Sequence, residues 1–301
     1  MDICPKCGEP LTIENIPQKK TTNYNDCIKK CKTCGIGISN SKTNQTIIYK
    51  NFKDNIPKSL HYKLDDILKL SINQVSHKQK IIRMGFVTSE DTLSWIFFSY
   101  FIKNNKTDIL LKLLGFKIEE VVDIYFWGVS YNDPSINNNF RKTLVNILKD
   151  KFNEEEKYYS EPDIIIETKT KIMFIEVKYN SENSTGKVEK IKKYLKKEYF
   201  LDFKKANKSL YYELIRNWSI GNVISKNKEY YLLNIGLKRN FDKENTKENI
   251  ILFHESLNNK NNFIRLTWDK IVENMNNEEI DLYFITEMNK KIFGKANGHI
   301  A

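Results

Sequence analysis

Cysteine is nearly absent from this 301-residue chain: all five cysteines lie within the first 34 residues. A disulfide framework would spread its bridges along a secreted chain, so this distribution excludes that class and indicates a reducing compartment, the cytoplasm. Long apolar runs are also absent. The longest, Trp95 to Ile102, has eight residues, whereas a membrane span needs about 20. We therefore expect no membrane span, and the polar N-terminus predicts no secretory signal.

Negative charge is in deficit, with 49 Lys and Arg against 38 Asp and Glu and a net charge of +11. Such a balance favours a polyanionic partner, nucleic acid first and an anionic membrane surface second. The nucleotide-binding patterns G-x-x-x-x-G-K-[ST] and G-x-G-x-x-G are missing, so nucleotide hydrolysis has no phosphate-binding loop. The length suggests about two domains.

Two short cysteine motifs stand out in the N-terminal region, CPKCG at 4–8 and CKTCG at 31–35. Two residues between the cysteines let both thiolates of a tight turn face one ion, and the glycine allows a positive φ. The 23 residues between the motifs suffice for a short hairpin that brings them together. The two motifs therefore predict a closed tetrahedral Zn²⁺ site formed by Cys4, Cys7, Cys31 and Cys34.

This pattern resembles a zinc ribbon, and the resemblance covers about residues 1–50. It implies a structural or binding role, because four thiolates leave no open coordination position for catalysis. Cys27 departs from the pattern as a fifth cysteine. It is either a free or buried thiol or a ligand in place of Cys31. The lysines at 19–20, 29–30 and 32 either contact phosphates or form a solvated surface.

The rest of the chain alternates predicted helices and strands, which indicates an α/β fold. Ser89 is a predicted N-cap for a helix that carries Glu90 and Asp91 in its first turn and runs to about Lys103. Polar residues 40–60 predict a linker. The other predicted elements are helices at 60–70, 135–150, 187–208, 211–218 and 280–292, and strands at 121–129, 163–168, 171–178, 230–237 and 263–267.

The strands at 163–168 and 171–178 predict a hairpin with unusual polar ends. If the hairpin closes around Lys169 and Thr170, paired residue numbers sum to 339, and Asp163 lies opposite Glu176. Side chains alternate along a strand, so Lys178 shares the face of Glu176. Directly opposite Cβ atoms are about 4.5–5.5 Å apart. The turn lacks the Asn-Gly or Asp-Gly of tight hairpins, so a longer symmetric loop stays open.

Two carboxylates at that distance repel each other unless a cation compensates them. Mg²⁺, or Mn²⁺ in its place, takes oxygen ligands and commonly binds one or two carboxylates together with substrate phosphate. Lys178 could orient a water molecule or stabilise the charge that develops on a phosphate. Together, Asp163, Glu176 and Lys178 predict a phosphodiesterase site.

These residues resemble the PD-(D/E)XK nuclease superfamily, which has a restriction-endonuclease-like fold. Asp163, Glu176 and Lys178 match its D, D/E and K, and Glu90 matches a metal-linked glutamate that members often carry on the first helix. The resemblance covers about residues 86–240 and implies a mixed sheet flanked by helices. Arg216 is also carried over, with a surface or salt-bridged arginine as the alternative.

The predicted organisation is a zinc ribbon at 1–50, a linker and helix at 51–85, and a nuclease domain at 86–301 with an α/β extension from 241. The resemblance implies a Mg²⁺-dependent endonuclease that cleaves double-stranded DNA in restriction or genome defence. A two-strand cut by one site per chain usually implies a homodimer. Two alternatives stay open: a non-catalytic DNA-binding or scaffold protein with a degenerate nuclease fold, and an RNA- or junction-specific nuclease, since phosphate attraction does not distinguish DNA from RNA.

Overall fold

The computed structural model describes residues 3–245, 247–294 and 299–300, which form two β-sheets and surrounding helices. The strands are β1 (Thr12–Ile13), β2 (Lys29–Cys31), β3 (Ile36–Ile38), β4 (Gln45–Tyr49), β5 (Val121–Phe126), β6 (Val129–Ser130), β7 (Ile164–Thr168), β8 (Lys171–Val177), β9 (Glu229–Gly236), β10 (Phe263–Thr267) and β11 (His299–Ile300). The α-helices are α1 (Leu64–Leu70), α2 (His77–Met84), α3 (Glu90–Lys103), α4 (Thr107–Leu113), α5 (Asn139–Phe152), α6 (Val188–Lys192), α7 (Phe203–Ser209), α8 (Tyr212–Ser225), α9 (Lys238–Asn245), α10 (Glu248–Ser256), α11 (Trp268–Met275) and α12 (Leu282–Phe293).

The larger sheet is mixed, with strand order β10-β9-β8-β7-β5-β6. Strands β8, β9 and β10 run parallel, whereas β7 is antiparallel to both β5 and β8. Parallel neighbours need crossover connections, and here helices α6–α8 connect β8 to β9 while α9 and α10 connect β9 to β10. The α/β prediction is confirmed in the form of a mixed six-stranded sheet flanked by helices.

Both faces of the larger sheet are covered by apolar cores. Ile164 and Ile166 of β7 pack on the side of α3, α11 and α12, whereas Ile165 and Phe174 pack on the side of α5 and α8. This alternation explains why β7 and β8 read as nearly continuous apolar runs in the sequence. The face toward α8 also carries the even-numbered positions of β8, including Glu176.

Helix α3 begins where the sequence predicts. The Ser89 hydroxyl accepts a hydrogen bond from the backbone N–H of Thr92 at 3.2 Å, which satisfies a donor that the first helical turn leaves free. Every residue from Thr92 to Phe101 is buried, as expected for a helix enclosed on all sides. The position of this helix fixes Glu90 and Asp91 at one edge of the sheet.

Three sequence predictions about secondary structure are wrong. The segment 187–208 is not one helix but α6, a 3₁₀ turn and α7, because buried Tyr194, Leu195 and Phe200 lack helical spacing and are turned inward by irregular backbone. The run 121–129 forms β-structure as predicted, but the single strand is wrong, because the run is a hairpin of β5 and β6. Its turn residues Trp127 and Gly128 both have positive φ, the requirement of a two-residue type I′ turn.

The third wrong prediction is the linker at 40–60, because it contains β4 of the smaller sheet. This sheet has the order β1-β2-β3-β4-β11, and alternate residues of β4 are buried. Residues 85–87 also bond to β4: the N–H of Tyr49 donates to the carbonyl of Gly85 at 2.8 Å, and that of Val87 to the carbonyl of Ile47 at 3.1 Å. Backbone hydrogen bonds therefore fix the N-terminal module to the rest of the chain.

Candidate functional site

The four predicted cysteines come together at the start of the smaller sheet. The Sγ atoms of Cys4, Cys7, Cys31 and Cys34 all lie within 4.8 Å of one another. Cys4 and Cys34 are 3.9 Å apart at sulfur, and Cys7 and Cys31 are 3.6 Å apart. Tetrahedral Zn–S bonds of about 2.3 Å place the sulfurs about 3.8 Å apart. These four cysteines could therefore hold a zinc ion.

Backbone amides support this sulfur cluster. The N–H of Lys6 donates to Cys4 Sγ and that of Cys34 donates to Cys31 Sγ, each at 3.4 Å. The second bond is the main reason why the pKa of Cys31 is lowered to about 7. Gly8 and Gly35 close the two turns with φ of 79° and 64°, a conformation that side chains with a Cβ rarely adopt.

Cys27 lies outside the cluster, as a buried thiol. Its Sγ packs against the backbone of Gly37, where a Cβ would approach to 2.6 Å. Burial raises the pKa of Cys27 to about 11, so this side chain stays protonated. Of the two alternatives for Cys27, the structure places Cys31, and not Cys27, with the other three sulfurs.

The hairpin of β7 and β8 has the register that the sequence predicts. Ile164 pairs with Ile175 and Ile165 with Phe174, and all pairs sum to 339. Asp163 therefore precedes β7 directly opposite Glu176, and its Oδ2 accepts the backbone N–H of Val177 at 2.8 Å. The turn consists of Lys169 and Thr170. The predicted two-residue turn is therefore confirmed, although the turn lacks an Asn-Gly sequence.

Glu176 and Lys178 form the centre of a buried ionic network on this face. Lys178 Nζ lies 2.8 Å from Glu176 Oε1 and 2.7 Å from Glu213 Oε2, a carboxylate at the start of α8. Asn217 donates to Glu176 Oε2 at 2.9 Å. Arg216 lies 3.8 Å from the same oxygen. Arg216 is therefore largely buried beside Glu176, and its ion pair with that carboxylate matches the salt-bridged alternative. Its role at the site stays a prediction.

The electrostatics of this network follow from its burial. Burial and the neighbouring Glu176 carboxylate hold the pKa of Asp163 well above its usual range. Burial also raises the pKa of Glu176, against the opposing effect of Lys178. Burial alone would lower the pKa of Lys178, but Glu176 and Glu213 raise it well above its usual value. Lys178 is therefore a charged ammonium, and the two hairpin carboxylates resist simultaneous ionisation.

Glu90 reaches the same edge of the sheet from α3. Its Oε1 accepts the backbone N–H of Tyr179 at 2.8 Å and the hydroxyl of Ser181 at 2.6 Å. Its charge also helps to raise the pKa of Lys178. Within the described residues, however, Glu90 does not join Asp163 and Glu176 in a group whose ligand oxygens all lie within 4.8 Å. Its assignment as a metal ligand stays a prediction.

Two sets of site residues were missed from the sequence. Glu213 and Asn217 lie one helical turn apart on α8 together with Arg216, so their i, i+3, i+4 spacing was the signal that could have found them. The second set is a buried ion cluster behind Asp163, in which Lys80 pairs with Glu161 and lies 3.7 Å from Asp91. No motif in the sequence marks Lys80.

The fold defines an α/β protein with a mixed six-stranded sheet flanked by helices and a buried carboxylate–lysine network at one end of it. Residues 91–291, about two thirds of the chain, match the family described as Restriction Endonuclease associating with ARP. The chain belongs to this family. The matched range contains Asp163, Glu176 and Lys178 and begins one residue after Glu90. Membership supports a nuclease role and implies a nucleic-acid substrate.

Comparison with curated proteins and with solved structures gives no match. Among the helices of the described residues, none combines the length and apolarity of a membrane span.

Proposed function

We propose that this protein is a metal-dependent endonuclease of the PD-(D/E)XK type that hydrolyses phosphodiester bonds in double-stranded DNA. Restriction or another form of genome defence is the proposed biological role. Asp163, Glu176 and Lys178 form the proposed catalytic centre, with Glu90 as a further metal ligand. The observation that carries this proposal is the hairpin register, which sets Asp163 opposite Glu176 with Lys178 on the same face.

The acidic residues of the site suit a divalent cation. Asp163 and Glu176 lie opposite each other, and burial raises the pKa of both, with the Glu176 carboxylate as a further cause for Asp163. A bound cation would favour their charged forms. Their oxygens, with that of Glu90, are the ligands that Mg²⁺ or Mn²⁺ prefers. When bound, such an ion supplies positive charge to the scissile phosphate and makes water a better nucleophile. Lys178, fixed between Glu176 and Glu213, would orient that water and stabilise charge on the phosphate.

The domain organisation that we propose is a zinc ribbon at 1–50, a connecting segment at 51–85 and a nuclease domain at 86–301. Zn²⁺ held by Cys4, Cys7, Cys31 and Cys34 would be structural, since four thiolates complete its coordination. The net charge of +11 supports binding to DNA phosphates. We further propose a homodimer for the double-strand cut.

The test is cleavage of supercoiled plasmid and linear duplex with Mg²⁺, Mn²⁺ or EDTA. Asp163→Asn and Glu176→Gln are compared with the control Glu167→Gln. Glu167 lies on the same face at the opposite end of the hairpin and also pairs with a lysine, Lys228, at 2.7 Å. We expect metal-dependent cleavage that both site variants abolish and the control retains. Cleavage that survives in Asp163→Asn and Glu176→Gln would refute this site.

A non-catalytic DNA-binding protein is the second candidate, favoured by one observation. Both oxygens of Glu176 already bond to protein groups, Lys178 and Asn217. If the protein only binds DNA, the purified protein should bind DNA in a salt-sensitive manner. It should then cut neither plasmid, duplex, single-stranded DNA nor RNA with any metal. Cleavage confined to RNA would instead identify an RNA nuclease.

A further inference from the structure

A polar groove runs between the N-terminal module and the rest of the chain. It consists of two adjoining cavities of about 730 and 550 Å³ that share Lys20, Thr21, Phe86 and Thr88. One end lies at the polar loop around Asn44, and the other lies at Glu90 and Asp91. We call this feature, from Asn44 past Lys20 and Phe86 to Asp91, the ribbon groove.

The walls of the ribbon groove are fixed relative to each other. Backbone hydrogen bonds join β4 to residues 85–87, and the side-chain amide of Asn55 donates to the carbonyls of Met84 and Phe86 at 2.9 and 2.7 Å. The groove is therefore a preformed surface and not a space between two loosely tethered modules. A preformed site binds without the entropic cost of ordering its parts.

The charge of the ribbon groove changes along its length. Lys20 and Arg83 are exposed on its walls, and neither forms an ion pair within the described part of the chain. Arg83 lies four residues after Gln79 on α2, so both side chains project from the same side of the helix. The acidic residues that line the ribbon groove are Glu90 and Asp91, at the end nearest the hairpin of β7 and β8.

This end of the groove adjoins the proposed catalytic centre. Glu90 Oε1 accepts the backbone N–H of Tyr179, the residue after Lys178, at 2.8 Å. Asp91 lies 3.7 Å from Lys80, which pairs with Glu161, two residues before Asp163. A ligand that lies along the groove would therefore end beside the hairpin carboxylates. Unpaired cations match phosphates, amides and hydroxyls match bases and sugars, and the half-buried Phe86 ring offers a stacking surface.

We propose that the ribbon groove binds one DNA strand beside the phosphate that is cut, with Lys20 and Arg83 in contact with backbone phosphates. The inference rests on the proposed nuclease function, because the cut phosphate defines which part of the strand lies in the groove. It gives the N-terminal module a direct part in substrate binding next to the catalytic centre.

The test compares two double variants that have the same net charge. Lys20→Gln with Arg83→Gln removes the two cations of the groove that form no ion pair among the described residues; Lys19, which also lines it, pairs with Asp26 and is kept. Lys32→Gln with Lys78→Gln removes exposed lysines from the same module and the same helix that do not line it. Affinity for a fluorescent duplex is measured by anisotropy from 0.05 to 0.3 M salt without divalent metal, and zinc content is measured for every variant.

We expect the groove variant to have a shallower slope of log K against log salt, where K is the DNA-binding constant. The slope should be smaller in magnitude by about 1.8, since each phosphate contact contributes about 0.9. The same loss corresponds to about 30-fold weaker binding at 0.15 M salt. The control variant should change the slope much less. Equal weakening by both variants would overturn the proposed binding of DNA in the groove, because the attraction to DNA would then be spread over the surface. No weakening by either variant would overturn it as well.

Cleavage assays on the same proteins separate this inference from the proposed function. If the wild-type protein cuts DNA while the groove and control variants bind DNA equally well, the proposed DNA binding by the groove is refuted. The proposed nuclease function then stands. Groove-dependent binding without any cleavage refutes the nuclease and leaves the groove. In a duplex with neutral methylphosphonates beside the mapped cut, wild-type binding should weaken whereas binding by the groove variant should not; equal weakening would place Lys20 and Arg83 elsewhere on the DNA.

Discussion

The four-cysteine cluster and the carboxylate cluster at the end of β8 stabilise closely spaced acidic groups in different ways. Among the described residues, the sulfurs receive hydrogen bonds from backbone amides and other thiols but from no lysine or arginine side chain. The carboxylates have Lys178 and Arg216 beside them. The first cluster could therefore be completed by an external cation, whereas the second receives its cations from the protein itself and, under the proposed function, would need an ion only for chemistry.

The largest effect should come from breaking the cysteine cluster. Cys31→Ser, or treatment with a strong chelator, should unfold the N-terminal sheet, because structural zinc contributes about 10–16 kcal/mol of binding free energy to such modules. Hydrogen exchange of residues 29–49 and zinc content measure the loss. Cys27→Ser is the matched control and should retain zinc, since Cys27 lies outside the cluster. Zinc loss from Cys27→Ser equal to that from Cys31→Ser would contradict the assigned set.

A smaller but substantial effect should follow from removing the internal cation of the second cluster. Lys178→Met leaves Glu176 and Glu213 without their ammonium partner and should lower the free energy of unfolding by about 3–5 kcal/mol. Lys228→Met, at the more exposed end of the hairpin, should cost about 1 kcal/mol or less. Urea denaturation without added Mg²⁺ measures both. Similar losses in the two variants would mean that burial does not distinguish the two lysines.

Glu90 allows the two roles of a carboxylate, structural and metal-binding, to be separated. Glu90→Ala should lower the free energy of unfolding by about 1–3 kcal/mol, because Tyr179 N–H and the Ser181 hydroxyl lose their acceptor. Glu90→Gln keeps an acceptor and should fold normally, while raising the Mg²⁺ concentration needed for half-maximal cleavage. An unchanged Mg²⁺ requirement in Glu90→Gln would restrict Glu90 to a positioning role.

Lys291 extends the comparison to a half-buried cation without an ion pair among the described residues. Burial lowers its pKa to about 8 from 10.5. The unfolded chain therefore binds more protons between these values, so the stability that Lys291 costs below pH 8 is regained as pH rises toward 10.5. Lys291→Met should be more stable than wild type at pH 7, with a gap that closes by pH 10. Thermal unfolding at both pH values measures this, and the exposed Lys290→Met should show no such trend.

The sequence predicted those parts of the molecule that local spacing determines. The two cysteine motifs fix all four sulfur positions, and strand alternation with a symmetric turn fixes Asp163 opposite Glu176. Lys80 reaches the site through tertiary packing of α2, which no local pattern encodes. Glu213 was missed although its spacing from Arg216 and Asn217 on α8 is a local pattern. The lysine-rich segment 187–208 was misread because its irregular backbone is held by buried contacts to α8 and not by helical periodicity.

The backbone bonds between β4 and residues 85–87 have a consequence for engineering. Because Gly85 and Val87 complete the edge of β4, a transplant of residues 1–50 onto another scaffold would leave that edge with unpaired amides and carbonyls. Exposed strand edges recruit other chains and promote aggregation. A portable version of the module would have to include residues up to 87 and a replacement for β11, which pairs with Gln45 and Thr46 of β4.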